Sequence, residues 1–196
     1  FWDKKVPGPS ALMIYLGVKG KLDELDHHTL LYTKDWSKNF GEVFHKADGK
    51  RKVPSPASLY ICAASKTDPS VAPEGYENIF VLVPIAADPS IGKGGINGTG
   101  DPGFEAAADK VIDQIADWCN IPDLKERIVL RRTMGPADFQ NELNAWSGTA
   151  LGMAHTLTQS AFFRPSNKSK KVKNLLYTGH NLSLIHISEP TRLRRI

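Results

Sequence analysis

The chain has 196 residues, of which 41% are hydrophobic and 23% are charged, and this composition is that of an ordinary globular protein rather than a disordered or fibrous one. The formal net charge of +4 would weakly suggest an anionic partner, but half of it comes from residues 182–196, and the remaining +2 says little about partners. No apolar run approaches the roughly 18–20 residues that a membrane-spanning helix needs, so the sequence predicts no transmembrane anchor.

The first half of the chain predicts strands separated by loops and one short helix. Residues 34–44 place Trp36, Phe40 and Phe44 at positions i, i+4 and i+8, which indicates an amphipathic helix. The loop at residues 65–75 is dense in turn-forming residues. Four apolar runs bounded by turn signals are short enough to be buried strands, at residues 10–18, 29–33, 59–64 and 79–85.

The second half predicts helices around one further strand. Residues 104–119 carry apolar side chains on one stripe of a 3.6-residue period and predict a helix that covers a sheet. Residues 127–132 predict a strand and 137–146 a helix, whose first turn Asp138 favours electrostatically. This order predicts an α/β fold with an α+β tendency, in which a mixed sheet is covered by helices.

The glycine-rich stretch at residues 87–103 does not predict a nucleotide-binding loop. A dinucleotide fingerprint needs G-x-G-x-x-G directly between a strand and a helix, and Asn97 stands where the third glycine of that pattern belongs. We therefore expect a flexible surface loop. The paired Arg131 and Arg132 are expected to be solvated or ion-paired rather than to bind phosphate.

Histidine and cysteine residues show no metal-binding spacing. His27 and His28 are adjacent, and neighbouring side chains on an extended chain point to opposite faces, so we expect a polar strand start and no metal site. Cys62 and Cys119 form no CxxC or zinc-like pattern and are expected to be reduced core residues. A reducing compartment is the mild implication.

Residues 148–179 combine small, aromatic and basic segments. Small residues would let the backbone approach something flat. Phe162 and Phe163 follow, then a basic turn, and then a predicted strand at residues 174–177 before Gly179. A strand that ends in glycine is common beside flavin cofactors, although a β-turn after any strand gives the same pattern.

Three stretches in this chain, residues 9–32, 58–83 and 148–179, resemble the bacterial-type carotenoid (phytoene) desaturases, FAD enzymes of the amine-oxidase-like superfamily. The resemblance implies the substrate-side part of a two-domain FAD oxidoreductase, incomplete at both ends. Residues 1–147 would be the substrate-side region and residues 148–181 the start of a flavin-proximal segment. Residues 182–196 are expected to be a non-native tail, because LSLIHISEPTR matches a translated sequencing adapter.

The same resemblance implies a hydride transfer from a polyisoprenoid hydrocarbon to flavin, which creates a conjugated double bond. Gly148, Gly152 and Gly179 are the candidates for backbone approach to FAD. A substrate without polar groups can be held only by shape and apolar contact. Residues that are candidates for this contact, or alternatively plain core, are Met153, Leu157, Phe162 and Phe163.

The resemblance places the dinucleotide-binding half and any acid or base upstream, so we expect this chain alone to be inactive and assign no catalytic residue. A carotenoid isomerase, oxygenase or saturase on the same scaffold is an alternative. Another alternative is a binding module whose basic turn contacts a membrane surface. We also expect a cytoplasmic protein that associates peripherally with a membrane, because an oily substrate dissolves there. Nucleic acid is not expected, because no stacking aromatics interleave the lysines of the basic turn, which are Lys168, Lys170, Lys171 and Lys173.

Overall fold

The computed structural model describes residues 2–44, 51–160 and 163–182. The chain divides into two compact units, of which the larger is Pro9–Ala150 and the smaller combines Phe1–Gly8 with Leu151–Ile196. The functional assignment of the segments 1–147, 148–181 and 182–196 stays a prediction. Of the expected non-native tail, only Leu182 lies within the described residues.

A five-stranded sheet forms the framework of the larger unit, in the order β2-β3-β4-β1-β5. Each of its four strand pairings is antiparallel. The predicted class of a helix-covered sheet with an α+β tendency is confirmed. The described sheet is antiparallel rather than mixed, which makes the α+β character the stronger one. The strands are β1 (Ser10–Lys19), β2 (His28–Leu31), β3 (Leu59–Ala63), β4 (Tyr76–Ile85) and β5 (Ile128–Met134).

Four α-helices are described in the larger unit, and the longest covers one face of the sheet. The stripe predicted for this helix is buried, with Phe104 1% exposed and Ile112 1% exposed. No helix among the described residues is both long and apolar enough to span a membrane. The helices are α1 (Trp36–Phe44), α2 (Pro102–Trp118), α3 (Leu124–Arg127) and α4 (Pro136–Leu143).

Strand register assigns alternate residues to two faces, which we name the inner and the outer face. On the inner face Leu12 pairs with Val83 and Ile14 with Val81, and all four side chains are fully buried in the core beneath α2. The neighbouring residues, which point to the opposite side of a pleated strand, make the outer face. The hydrophobic core therefore lies between the inner face and α2.

The glycine-rich stretch is anchored to the sheet, which corrects the prediction of a flexible surface loop. The amide of Gly94 donates to Asp138 Oδ2 at 2.7 Å, and the amide of Gly95 donates to Thr133 Oγ1 at 2.9 Å. Ile96 then forms a bridge with Arg132 of β5. Because a Cβ at Gly94 would overlap the carbonyl of Thr133, close packing explains the glycine at this position.

Polar side chains hold together the smaller unit. The side chain of Gln159 accepts from the amide of Val6 at 2.8 Å and donates to its carbonyl at 3.0 Å. Arg164 donates to the carbonyls of Met153 and His180 at 2.8 and 2.7 Å. The predicted strand at residues 174–177 is wrong, because only one bridge, Lys168 to Leu176, pairs this stretch among the described residues.

Candidate functional site

The outer face of the sheet carries aromatic side chains from its three central strands. Tyr15 of β1 lies opposite Phe80 of β4 in the register, and their ring centroids are 5.3 Å apart. Tyr60 of β3 meets Phe80 edge-on at 6.3 Å. Such offset and edge contacts are the favourable arrangements of aromatic rings, so the three rings form one continuous apolar surface.

Helix α4 covers only one end of the outer face within the described residues. Phe139 packs there against Ala11, with Met13 and Leu82 alongside. Towards the other end the rings of Tyr15 and Phe80 are partly exposed. Patches of this kind, apolar and rimmed by polar groups, mark binding surfaces on folded proteins.

A cavity of about 550 Å³ lies over this less covered end, between the sheet and the β3–β4 loop. This volume falls in the range of about 300–1,000 Å³ that is usual for small-molecule sites. Gly17 lies in the lining, and a Cβ there would crowd Leu130 at 3.3 Å. Residues that supply the apolar lining are Tyr15, Tyr76, Leu130, Val71, Ala72 and Pro73.

The β3–β4 loop owes its shape to short-range hydrogen bonds. Asp68 caps a single 3-10 turn, Pro69–Val71, by accepting from the amide of Ser70 at 2.9 Å. The side chain of Asn78 donates to the carbonyl of Val71 at 3.2 Å. The loop that the resemblance marks as functional therefore presents Val71 and its neighbours to the cavity.

Charged groups near the cavity are paired. Arg132, in the cavity lining, forms an ion pair with Glu142 at 3.7 Å. Arg131 lies on the inner side of the sheet and forms ion pairs with Glu105 and Asp109. The prediction that these arginines are ion-paired is confirmed. Burial raises the pKa of Tyr15, and the charge of Arg132 offsets part of this effect. The cavity wall therefore combines a phenol and apolar carbon with two charged side chains, Glu77 and Arg132, that are each ion-paired.

The predicted cofactor glycines differ in the space around them. A Cβ at Gly148 would overlap the carbonyl of Pro136, in the larger unit. In the smaller unit, a Cβ at Gly152 would overlap the side chains of His180 and Asn181, while nothing described lies within 4 Å of the Cβ position at Gly179. The structure thus brings Gly152 against the turn that follows Gly179.

The predicted substrate residues are placed differently from one another in the smaller unit. Met153 is 1% exposed, whereas Leu157 is 92% and Phe163 66% exposed. Phe162 lies outside the described residues. Substrate contact by these four residues stays a prediction.

Sequence reasoning missed the outer face. The aromatic residues Tyr15, Tyr60 and Phe80 sit in runs that the sequence predicts as buried strands, although these runs alternate aromatic with aliphatic residues. Cys62 is likewise not a core residue, since it lies on the outer face beside Tyr60 and is partly exposed. Runs that are apolar on both faces do not reveal which face will remain open.

Comparison with known proteins identifies relatives over most of the chain. No family model matches. The chain is 42% identical to a carotenoid 3,4-desaturase of Haloarcula japonica over 179 residues, which are 91% of this chain and 34% of that protein. It is 33% identical to a lycopene-forming phytoene desaturase of Pantoea ananas (87% of this chain, 32% of that protein). It is also 33% identical to a zeta-carotene-forming phytoene desaturase of Myxococcus xanthus (87% and 31%).

The chain therefore spans about a third of the length of the curated relatives that it matches. Three relatives from different organisms share one kind of name, and each similarity covers nearly the whole of this chain. Over nearly its whole length, the chain is therefore similar to carotenoid and phytoene desaturases.

Proposed function

We propose that the protein of which this chain is a part is an FAD-dependent carotenoid desaturase that introduces conjugated double bonds into a polyisoprenoid hydrocarbon. The observation that carries the proposal is the aromatic outer face with its cavity of about 550 Å³. The relatives, each named as a carotenoid or phytoene desaturase, support it. They do not favour the alternative of an isomerase, oxygenase or saturase.

An apolar wall suits a substrate without hydrogen-bonding groups. Tyr15, Leu130 and Pro73 line the cavity. Phe80 lies next to Tyr15 on the outer face, with the ring centroids 5.3 Å apart, so the two rings together offer a surface on which a flat, conjugated chain can lie. Only a segment of a long substrate fits in a volume of about 550 Å³, so the rest of the chain would extend beyond this cavity. These residues would bind and orient the chain and exclude water from the reacting carbons.

Bound FAD would supply the two-electron acceptor for the hydride. Among the glycines predicted to approach it, Gly179 fits, since its φ of +135° is one that glycine adopts readily and its surroundings are open in the described residues. At Gly148 and Gly152 the chain's own atoms already occupy the space of a side chain. We therefore propose that Gly179 is the glycine of this chain that the flavin approaches.

The test uses the complete gene product that contains this chain, expressed in hosts that accumulate phytoene or a partly desaturated carotenoid. We expect products with longer conjugated systems, read by their absorption spectra after chromatography. Phe80→Ala should reduce product formation through weaker substrate binding, whereas Leu143→Ala, which changes a 63% exposed side chain on α4, should not. A soluble flavoprotein that lengthens no conjugated system in any of these hosts would overturn the proposal.

We further propose that the protein is cytoplasmic and rests on the surface of an anionic membrane, where such a substrate dissolves. An aromatic ladder begins at Tyr32, before α1, and continues along the helix through Trp36, Phe40 and Phe44, with successive ring centroids 5.2, 6.2 and 5.4 Å apart. Each ring is between 51% and 53% exposed. Amphipathic helices with aromatic residues on one face and basic residues nearby bind membrane interfaces. Lys34 lies just before α1, and Lys38 lies on it.

Co-sedimentation of the protein with vesicles of phosphatidylglycerol and phosphatidylcholine tests this association. Trp36→Ser with Phe40→Ser should reduce the bound fraction at every salt concentration, because the change removes apolar contact. Replacing the four exposed lysines of the basic turn by Gln should weaken binding mainly at low salt. A bound fraction unchanged by the ladder variant would contradict the role of α1. The four lysines are Lys168, Lys170, Lys171 and Lys173.

A further inference from the structure

Three side chains with metal-binding atoms meet at the β2 edge of the sheet. His28 lies opposite Cys62 in the β2–β3 register, so both side chains project from the outer face. His27 precedes β2, and its ring centroid is 4.2 Å from that of His28. One potential ligand atom from each of the three residues lies within 4.8 Å of the other two. The expectation that neighbouring histidines point apart is wrong here.

The reason is the backbone at the start of the strand. The carbonyl of His27 accepts from the amide of Ala63 at 2.9 Å, but the strand itself begins at His28. Strict alternation of side chains holds only inside an extended strand. Because His27 lies just before the strand, its side chain does not have to point to the opposite face and lies beside that of His28.

Hydrogen bonds orient both imidazole rings. Nδ1 of His27 lies 2.6 Å from Thr67 Oγ1, and Nδ1 of His28 lies 2.7 Å from the Tyr60 hydroxyl. Metal-binding histidines usually engage their second ring nitrogen in this manner, which fixes the orientation of the ring. With Nδ1 engaged in each ring, Nε2 is the nitrogen that each histidine can offer to a metal ion.

The donor atoms determine the class of ion. Two imidazole nitrogens and one thiolate sulfur suit zinc and other borderline divalent ions, whereas magnesium and calcium prefer oxygen. We propose that His27, His28 and Cys62 bind a divalent metal ion of the zinc class, with a fourth coordination position open to water or another ligand. Binding breaks the S–H bond of Cys62, and the proton passes to solvent as the S–metal bond forms.

Small side-chain rotations would complete the geometry. Tetrahedral zinc, with bonds of about 2.0–2.1 Å to nitrogen and about 2.3 Å to sulfur, needs ligand atoms about 3.5 Å apart. The observed separations of up to 4.8 Å therefore require the ligands to close by about 1 Å. All three side chains are at least partly exposed, so an ion can reach them from solvent.

Metal binding would stabilise the edge of the sheet. Strand β2 has only four residues and pairs with β3 on one side. The ion would join β2 directly to Cys62 of β3, and through the Thr67 hydrogen bond it would steady the β3–β4 loop. That loop lines the cavity through Val71 and Pro73, but the proposed metal site does not depend on which substrate the cavity takes.

Cobalt titration of the reduced, metal-free chain tests the site, because cobalt(II) reports a thiolate ligand through a near-ultraviolet charge-transfer band and tetrahedral geometry through visible bands. We expect saturation at one cobalt per chain and displacement by zinc. Cys62→Ser should abolish the charge-transfer band, and His27→Ala and His28→Ala should abolish saturable binding. Thr67→Val should weaken affinity by about 10–100-fold, because it removes the hydroxyl that orients His27 and leaves the three ligands in place.

Matched controls come from residues elsewhere in the chain. Cys119→Ser and His155→Ala should leave the titration unchanged, and circular dichroism should show that every variant keeps its sheet. Zinc should raise the thermal unfolding midpoint of the parent chain and of Cys119→Ser but not of Cys62→Ser. The proposal is overturned by a folded parent chain that shows no saturable band, or by a band that survives Cys62→Ser.

Discussion

The inner and outer faces of the five-stranded sheet arise from the same strands but differ in chemistry and in cover. The inner face is aliphatic, fully buried and packed beneath α2. The outer face carries Tyr15, Tyr60 and Phe80, which are partly exposed, and Tyr15 lines a cavity. In a continuous apolar run such as that of β1, alternate residues therefore have different roles. One set stabilises the core, and the other forms a surface for binding.

The difference in burial between the two faces is tested most directly by the same substitution, Phe to Ala, on each side of the sheet. Phe104→Ala removes a ring that is 1% exposed and should lower the free energy of unfolding by about 3–5 kcal/mol. Phe80→Ala removes a partly exposed ring from the outer face and should cost about 1–2 kcal/mol. Urea denaturation followed by circular dichroism measures both, and equal losses would mean that the two faces do not differ in burial.

The next largest loss of stability is expected from a change in a buried cluster of charged residues on the inner side of the sheet. Oε2 of Glu105 accepts from Arg131 at 2.5 Å and Oε1 accepts from Thr133 at 2.5 Å. Glu105→Gln keeps the shape but removes the charge that faces Arg131, so we expect a loss of about 2–3 kcal/mol in urea denaturation.

An exposed ion pair serves as the control for that variant. Asp113 contacts Lys125 at 2.6 Å, and the two side chains are 58% and 49% exposed. Asp113→Asn should cost less than about 1 kcal/mol, because exposed pairs contribute little. A larger loss for Asp113→Asn than for Glu105→Gln would contradict the importance of burial in this layer.

The two cysteines are expected to differ in the reactivity of their thiols. Burial raises the pKa of the Cys119 thiol, and the charge of Glu24 adds to this effect, so the reactive thiolate is scarcer at a given pH. Cys62 lies partly exposed on the outer face. With EDTA present, iodoacetamide should modify Cys62 before Cys119 in the folded chain, as read by peptide mass mapping. Preferential modification of Cys119 would contradict these placements.

Periodicity and turn chemistry predicted much of the fold. The run at residues 10–18 became β1, and the apolar stripe from Phe104 became α2, because burial of one face decides these elements locally. The predicted strand at residues 174–177 failed because a strand forms only with a partner, and sequence alone does not show whether one is present. Pairing is a long-range property.

The site was less predictable than the fold for the same reason. The β3–β4 loop could be recognised by resemblance, but its meeting with Leu130 depends on β1 and β5 lying side by side. The approach of His27 to His28 depends on where the strand begins, and a difference of one residue decides it. Element boundaries are the least certain part of any prediction from sequence.

The smallest effect expected concerns the outer face at alkaline pH. Burial raises the pKa of Tyr15 above its ordinary value near 10, and the charge of Arg132 only partly offsets this. Because the folded state holds the phenolic proton more tightly, this stabilisation is complete below the unfolded-state pKa and is lost as pH rises through the folded-state pKa. Tyr15→Phe should therefore match the parent chain at neutral pH but lose stability less steeply above about pH 10. Urea midpoints measured across the alkaline range check this, and identical slopes would mean that the Tyr15 hydroxyl is as well hydrated in the folded chain as in the unfolded one.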